Sequence, residues 1–167
     1  MSGMVGALLV TVLVVVAFVA FRALTRDEVA VEREPIDYLS VVQRAAESGD
    51  EVVHPPDLPE GWIATSVDYT GGDRPVWGLG VLTDEGAFVG LRQEDTDADG
   101  LVETYVDEDA VQGEPVDIEG ALGGTWQSWS DEGGDHAYST TVGDETVLVY
   151  GSAPAAELRD LAGRLTR

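Results

Sequence analysis

The sequence predicts an α+β fold: one antiparallel sheet of about seven strands with helices packed on it, behind an N-terminal transmembrane helix. Three observations predict it. Residues 4–21 form an apolar run without a charge. From Trp62 onward apolar residues recur with a period of two between Gly- and Asp-rich turns. Two helically spaced stretches then divide those strands into the order β-β-β-α-β-β-β-β-α, which suits a layered sheet-and-helix domain.

Residues 4–21, MVGALLVTVLVVVAFVAF, are 18 in number. At about 1.5 Å per helical residue they approach the hydrocarbon thickness of about 30 Å. A cleaved signal peptide would need a basic start, a shorter apolar core and an A-x-A-like site. The stretch after the core, Arg22-Ala23-Leu24-Thr25-Arg26, offers no such site. Residues 1–26 are therefore read as an uncleaved anchor with its flank.

Residues 27–61 are read as a linker, a short helix and a strap. The linker DEVAVERE is charged. Pro35 suits the first turn of a helix running to about Ser48 and closed by Gly49, with Ile36, Leu39, Val42 and Ala46 on one face. Residues 51–61 hold three prolines in eleven positions and should be extended.

Residues 62–167 are read as the α+β soluble domain. Ile63, Thr65, Val67 and Tyr69 mark a first strand; Trp77, Leu79 and Val81 a second; Ala87, Val89, Leu91 and Gln93 a third. The turns at 71–73 and 83–86 make neighbours antiparallel. A weak helix is expected over 101–107. Strands follow at 115–118, 125–130, 137–142 and 146–150, the last two joined by a two-residue Gly143-Asp144 hairpin loop. Ser152 is expected to cap a final helix with Leu158, Leu161, Ala162 and Leu165 at i, i+3, i+4 and i+7, and Asp160 and Arg164 paired outside.

Charge excludes several classes of function. The chain carries 32 Asp and Glu against 9 basic residues, all Arg, for a net charge of −23, and no Cys. From Asp27 onward the balance is 32 acidic to 7 basic, or −25. Residues 93–157 contain 17 acidic residues and no Arg or Lys. Nucleic acid and anionic lipid surfaces are thereby excluded as partners of the domain. Without Cys there are no disulfides, thiolate metal sites or cysteine nucleophiles. Arg22 and Arg26 lie on the domain side of the apolar run, which by the positive-inside rule favours a cytoplasmic domain.

The sharpest chemical motif is Asp95, Asp97, Asp99 and Gly100 in the order D-x-D-x-D-G, the first half of a calcium loop. The second half is missing, since position twelve is Val106, where a bidentate Glu is needed. The competing reading is an acidic loop in which Asp99 caps the helix at 101–107. Calcium at this loop is the one cofactor that the motifs admit. His54 and His136 stand alone, so no triad or metal pair is formed from them, and no catalytic residue is assigned. Of the four Trp residues, Trp77 is in phase with Leu79 and Val81 and is assigned to the core. Trp126 and Trp129 are three apart in one strand, so one of them should face outward. The glycine pairs are turn residues, with no nucleotide-binding pattern behind them.

Several short motifs recur together: Ile36-Asp37-Tyr38-Leu39, Leu58-Pro59-Glu60-Gly61-Trp62, Phe88-Val89-Gly90-Leu91-Arg92-Gln93, Gly124-Thr125-Trp126-Gln127 and Gly151-Ser152-Ala153 before the last helix. Behind a hydrophobic anchor and in this order, they resemble an actinobacterial family of single-pass membrane proteins, domain of unknown function 4245, over nearly the whole chain. The resemblance implies a domain outside the cytoplasmic membrane, against the two arginines, and carries no catalytic residue. The expectation is a non-enzymatic, extracytoplasmic acidic domain, held to the lipid bilayer by its N-terminal helix and acting in envelope binding or assembly. The alternative is a calcium-binding module centred on Asp95, Asp97 and Asp99.

Overall fold

The period-two pattern forms eight strands and the helical pattern three helices among residues 34–167, which the computed structural model describes. The predicted anchor and most of the charged linker lie outside the described residues. Among the described residues no helix is long and apolar enough to cross a membrane.

In chain order the elements are α1 (Leu39–Ser48), β1 (Ile63–Thr70), β2 (Val76–Leu82), β3 (Phe88–Glu94), α2 (Ala98–Tyr105), β4 (Val111–Gln112), β5 (Val116–Asp117), β6 (Thr125–Ser130), β7 (His136–Val142), β8 (Glu145–Gly151) and α3 (Ala155–Arg164). The strands form one antiparallel sheet in the order β1-β2-β3-β8-β7-β6-β4, with β5 paired to the start of β6. Short turns, of two residues between β7 and β8 and five in the others, dictate two meanders, β1-β2-β3 and β6-β7-β8, since so short a connection joins antiparallel neighbours. The meanders meet at the centre, where β3 pairs with β8 from Gly90 opposite Tyr150 to Glu94 opposite Thr146.

Side-chain alternation sends the two sets of strand residues to opposite faces. One face presents Trp77, Leu79, Val81, Leu91, Val147 and Val149 to α1 and α3, which bury Tyr38, Val41, Ala45, Leu158, Leu161, Ala162 and Leu165 against it. The other face carries α2, whose Leu101 and Val102 cover Trp129, Ala137, Leu148 and Tyr150. Covering on both faces explains why β8 is buried continuously from Thr146 to Gly151.

Several details differ from the sequence expectation. There are eight strands, because β4 is two residues long and too short to show a period. Helix α1 starts at Leu39, four residues after Pro35, because the amide of Ile36 donates to the carbonyl of Ala64 at 2.9 Å and holds this stretch beside β1. The Asp37 carboxylate accepts from the Ser40 amide at 3.2 Å. The buried face is consequently Tyr38, Val41 and Ala45, while Ile36, Leu39 and Ala46 are exposed. Gly49 does close this helix, in the left-handed region at φ 93°. Helix α2 begins three residues before the expected 101. Ser152 does not cap α3; its hydroxyl accepts from the Phe88 amide at 3.1 Å, and the helix opens after Pro154. The Asp160–Arg164 pair forms as expected, at 2.9 Å. Trp126 and Trp129 do point to opposite faces, yet both are buried, at 1% and 7% exposure, because α2 covers the face expected to meet water.

The proline-rich strap is extended, and Val52, Val53 and Pro55 within it are buried. Outside a single bridge at His54 its backbone joins no ladder, so side chains satisfy most of it. The Trp77 indole donates to the carbonyl of Val53 at 2.8 Å. The Gln93 carboxamide accepts from the Val53 amide and donates to the carbonyl of Glu51 at 3.0 Å and to the Glu145 carboxylate at 2.6 Å. The Tyr38 hydroxyl donates to the carbonyl of Pro55 at 2.8 Å, and His54 and Thr166 exchange two backbone bonds of 2.9 Å.

Two predictions follow from this packing. Trp77→Phe removes ring volume and leaves a buried carbonyl unpaired, for an expected loss of about 3 kcal/mol. In Trp126→Phe the deleted Nε1 has no partner among the described residues, so the loss should be about half as large. Chemical denaturation of the two variants compares them. Separately, burial and then the charge of Asp57 push the Tyr38 phenol from 10.0 up to about 12, and burial followed by the bond to Glu94 pushes Tyr105 to about 12. A raised phenol favours the neutral folded form. The stability it contributes is full below pH 10 and is lost between pH 10 and about 12. Tyrosinate absorbance and circular dichroism should therefore change together in that window, and Tyr38→Phe should remove part of the loss.

Candidate functional site

The acidic loop after β3 is where the sequence places its one metal-like motif. Its first member, Asp95, is exposed, and its carboxylate pairs with the Arg74 guanidinium at 2.9 Å; the same guanidinium donates to the Asp95 carbonyl. Asp97 is the N-cap of α2: its extended backbone lets the carboxylate accept from the Gly100 amide at 2.8 Å. Asp99 lies in the first helical turn and is exposed, a position favoured by the positive end of the helix. The cap is thus Asp97 and not Asp99. The three carboxylates have separate tasks, and among the described residues no group of three His, Asp or Glu side chains is arranged to hold a metal ion.

Beside this loop a cavity of about 500 Å³ opens at the end of the sheet, between the strap, the start of β2 and the β7–β8 hairpin. Asp50, Glu51, Asp73, Asp95, Asp144 and Glu145 line it, with Gln93 and Trp77 behind and Arg167 at one side. Three of these carboxylates already accept bonds: Asp50 from the Tyr69 hydroxyl, Asp95 from Arg74 and Glu145 from Gln93. The bond to Asp50 raises the Tyr69 phenol. The cavity is therefore lined mainly by carboxylates, three of which hold the strap, the loop after β3 and the start of β8 in place.

The histidines do not build a catalytic group. His54 is fixed in the strap, its Nδ1 paired with the Val52 carbonyl at 3.0 Å, and His136 opens β7 opposite Ser130 and Gly151. Among the described residues neither meets a Ser, Asp or Glu side chain at hydrogen-bond distance.

Sequence reasoning missed Arg92. It lies on the α2 face of the sheet, its guanidinium carbon 4.5 Å from the Tyr105 ring centre and Nη2 3.5 Å from Asp68. Burial works against its charge, but Tyr150, Tyr105 and Asp68 outweigh burial and raise its pKa. The position opposite is Gly78, where a Cβ would stand 2.4 Å from Nη1 of Arg92. The signal available in the sequence was the alternation Gly78, Gly80 and Gly90 on one face, which marks side chains lying across a bare backbone.

The family model described as Protein of unknown function (DUF4245) matches residues 1–165. No curated protein matches. Among solved structures, a chain of the Pseudomonas aeruginosa MucA/MucB complex matches with 16% identity and a TM-score of 0.40, over 68% of this chain and 34% of that one. The present chain therefore spans about a third of the matched chain.

The capping role of Asp97 has a direct test. Asp97→Ala should lower stability by about 1 kcal/mol, whereas Asp97→Asn, which keeps an accepting oxygen, should stay within about 0.5 kcal/mol of the parent. Thermal unfolding in chelator distinguishes the two.

Proposed function

Because the chain belongs to the family of proteins of unknown function DUF4245, whose match takes in both the apolar run and the folded domain, we propose a role that uses both. The protein is a non-enzymatic, membrane-anchored module, with residues 4–21 in the bilayer and the acidic domain outside it, binding or assembling envelope components.

One observation carries this reading. Residues 34–167 hold 29 carboxylates and six Arg, and among the described residues only Asp68, Asp95 and Asp160 pair with a guanidinium. With all six Arg counted, a net charge of −23 is left as an uncompensated negative field. Such a field attracts cationic groups and pushes the domain away from an anionic leaflet. Such a charge favours partners with cationic groups, in solution or in the envelope, over the surface of an anionic leaflet.

A second reading, a calcium module at Asp95, Asp97 and Asp99, draws its support from the D-x-D-x-D-G spacing. It requires that millimolar calcium raise the thermal midpoint and that Asp97→Asn abolish the rise.

Placement is tested with a single thiol, since the chain has no native Cys. Gly133 is exposed in the β6–β7 turn, and a Cβ there meets only the Asp131 carboxylate. In Gly133→Cys, a membrane-impermeant maleimide should label intact cells as strongly as lysed ones. Labelling confined to lysed cells would place the domain in the cytoplasm and defeat the envelope role.

A further inference from the structure

Helix α2 is eight residues long and covers the sheet face over Trp129, Ala137, Leu148 and Tyr150. Past its N-terminus the same face carries a different set of side chains. Gln127 pairs with Ser139 across β6 and β7, and Thr141 pairs with Thr146 across β7 and β8. Thr125 completes the floor at the start of β6. Between this floor, the first residues of α2 and Pro115 lies a groove of about 530 Å³, within the usual size of small-ligand sites.

Its lining is mostly neutral and polar. No Arg or His lines it, so an anion finds no counter-charge; Asp97 is its one carboxylate, so a cation finds little. Ala98 and Pro115 are its main apolar contributions, too few for a hydrophobic ligand or for the side chains of a peptide. What remains is an array of neutral hydrogen-bonding groups.

The internal bonds show which capacity is unused. The Gln127 amide nitrogen is committed to the carbonyls of Gly113 and Ser128, leaving its oxygen to accept. The hydroxyls of Thr125 and Thr146 donate to Asp117 and to the Thr96 carbonyl, leaving their lone pairs. Ser139 is 3% exposed and accepts from the Trp129 indole at 3.0 Å. Among the described residues its own proton meets no acceptor, which is unusual for a buried hydroxyl. Thr141 is exposed, and among the described residues its hydroxyl has no partner. Spare acceptors at Thr125, Gln127 and Thr146 thus stand beside spare donors at Ser139 and Thr141, a mixture matched by the adjacent hydroxyls of a sugar, each of which donates and accepts.

We propose that this groove binds a neutral saccharide, contacted through Thr125, Gln127, Ser139, Thr141 and Thr146, with Asp97 at its rim repelling anionic sugars. The inference rests on the domain being a binding module, but not on the side of the membrane it occupies, so its failure and that of the placement above are separate results.

The test is calorimetric titration of the full chain, in micelles of a detergent without a sugar headgroup, with N,N′-diacetylchitobiose, maltose and trehalose. A uronic-acid disaccharide is the charged comparison. At least one neutral disaccharide should bind, weakened about tenfold or more in Thr141→Val, which keeps shape and strand preference, and unchanged in Thr70→Val on β1. No binding by any neutral disaccharide at tens of millimolar, equal binding by Thr141→Val, or equal affinity for the charged disaccharide would each overturn the proposal.

Discussion

The buried peptide of Val53 is the point on which the rest of the structure depends. A segment with three prolines in eleven residues cannot enter a helix or the interior of a sheet, yet Val52, Val53 and Pro55 are in the core. Its carbonyl and amide would be left unpaired at a cost of about 1–3 kcal/mol each. Trp77 and Gln93 remove that cost, and through them the strap is joined to β2, β3 and, by Glu145, to β8. Tyr38 adds α1, and Thr166 adds the chain's last turn. Contacts between residues 17 to 112 positions apart therefore converge on five residues of irregular backbone.

The same joint explains how so acidic a chain remains compact. With 29 carboxylates against six Arg in residues 34–167, self-repulsion opposes folding, and exposed ion pairs contribute about 0–1 kcal/mol each. Local propensity does not offset this, because α1 lacks a charged first turn and the short β4 and β5 have little of their own to bury. Cohesion comes from the two apolar layers and from bonds that Trp77, Gln93 and Tyr38 make to backbone groups of the strap, which salt screens little.

Much of this was legible in the sequence. The period-two strands, the Gly143-Asp144 hairpin and the apolar stripe of α3 are local patterns, and local patterns survive folding when tertiary contacts agree with them. What escaped depends on partners far along the chain. Asp97 and Asp99 are equivalent by residue type, and only the backbone dihedrals at 97 decide which one caps. The metal-like spacing at 95–99 gave no hint of Arg74, 21 residues earlier, which holds Asp95. Ile36 fits a helical stripe, but a single bond to Ala64 places it beside a strand. The burial of Trp129 depends on α2 crossing the second face, and a period-two strand cannot say whether that face is covered.

That second face also shows why a short helix matters. Over Leu148 and Tyr150 the sheet is apolar because α2 is above it; past Asp97 the alternate positions become Thr, Gln and Ser because nothing apolar is above them. Ser139 and Thr146 are already buried there, and they remain polar because each has a hydrogen bond, from the Trp129 indole and to the Thr96 carbonyl. The cap at Asp97 therefore sets two things at once. It ends the helix by satisfying the Gly100 amide, and in doing so it leaves a neutral, hydrogen-bonding floor open beside one of the most acidic loops of the chain.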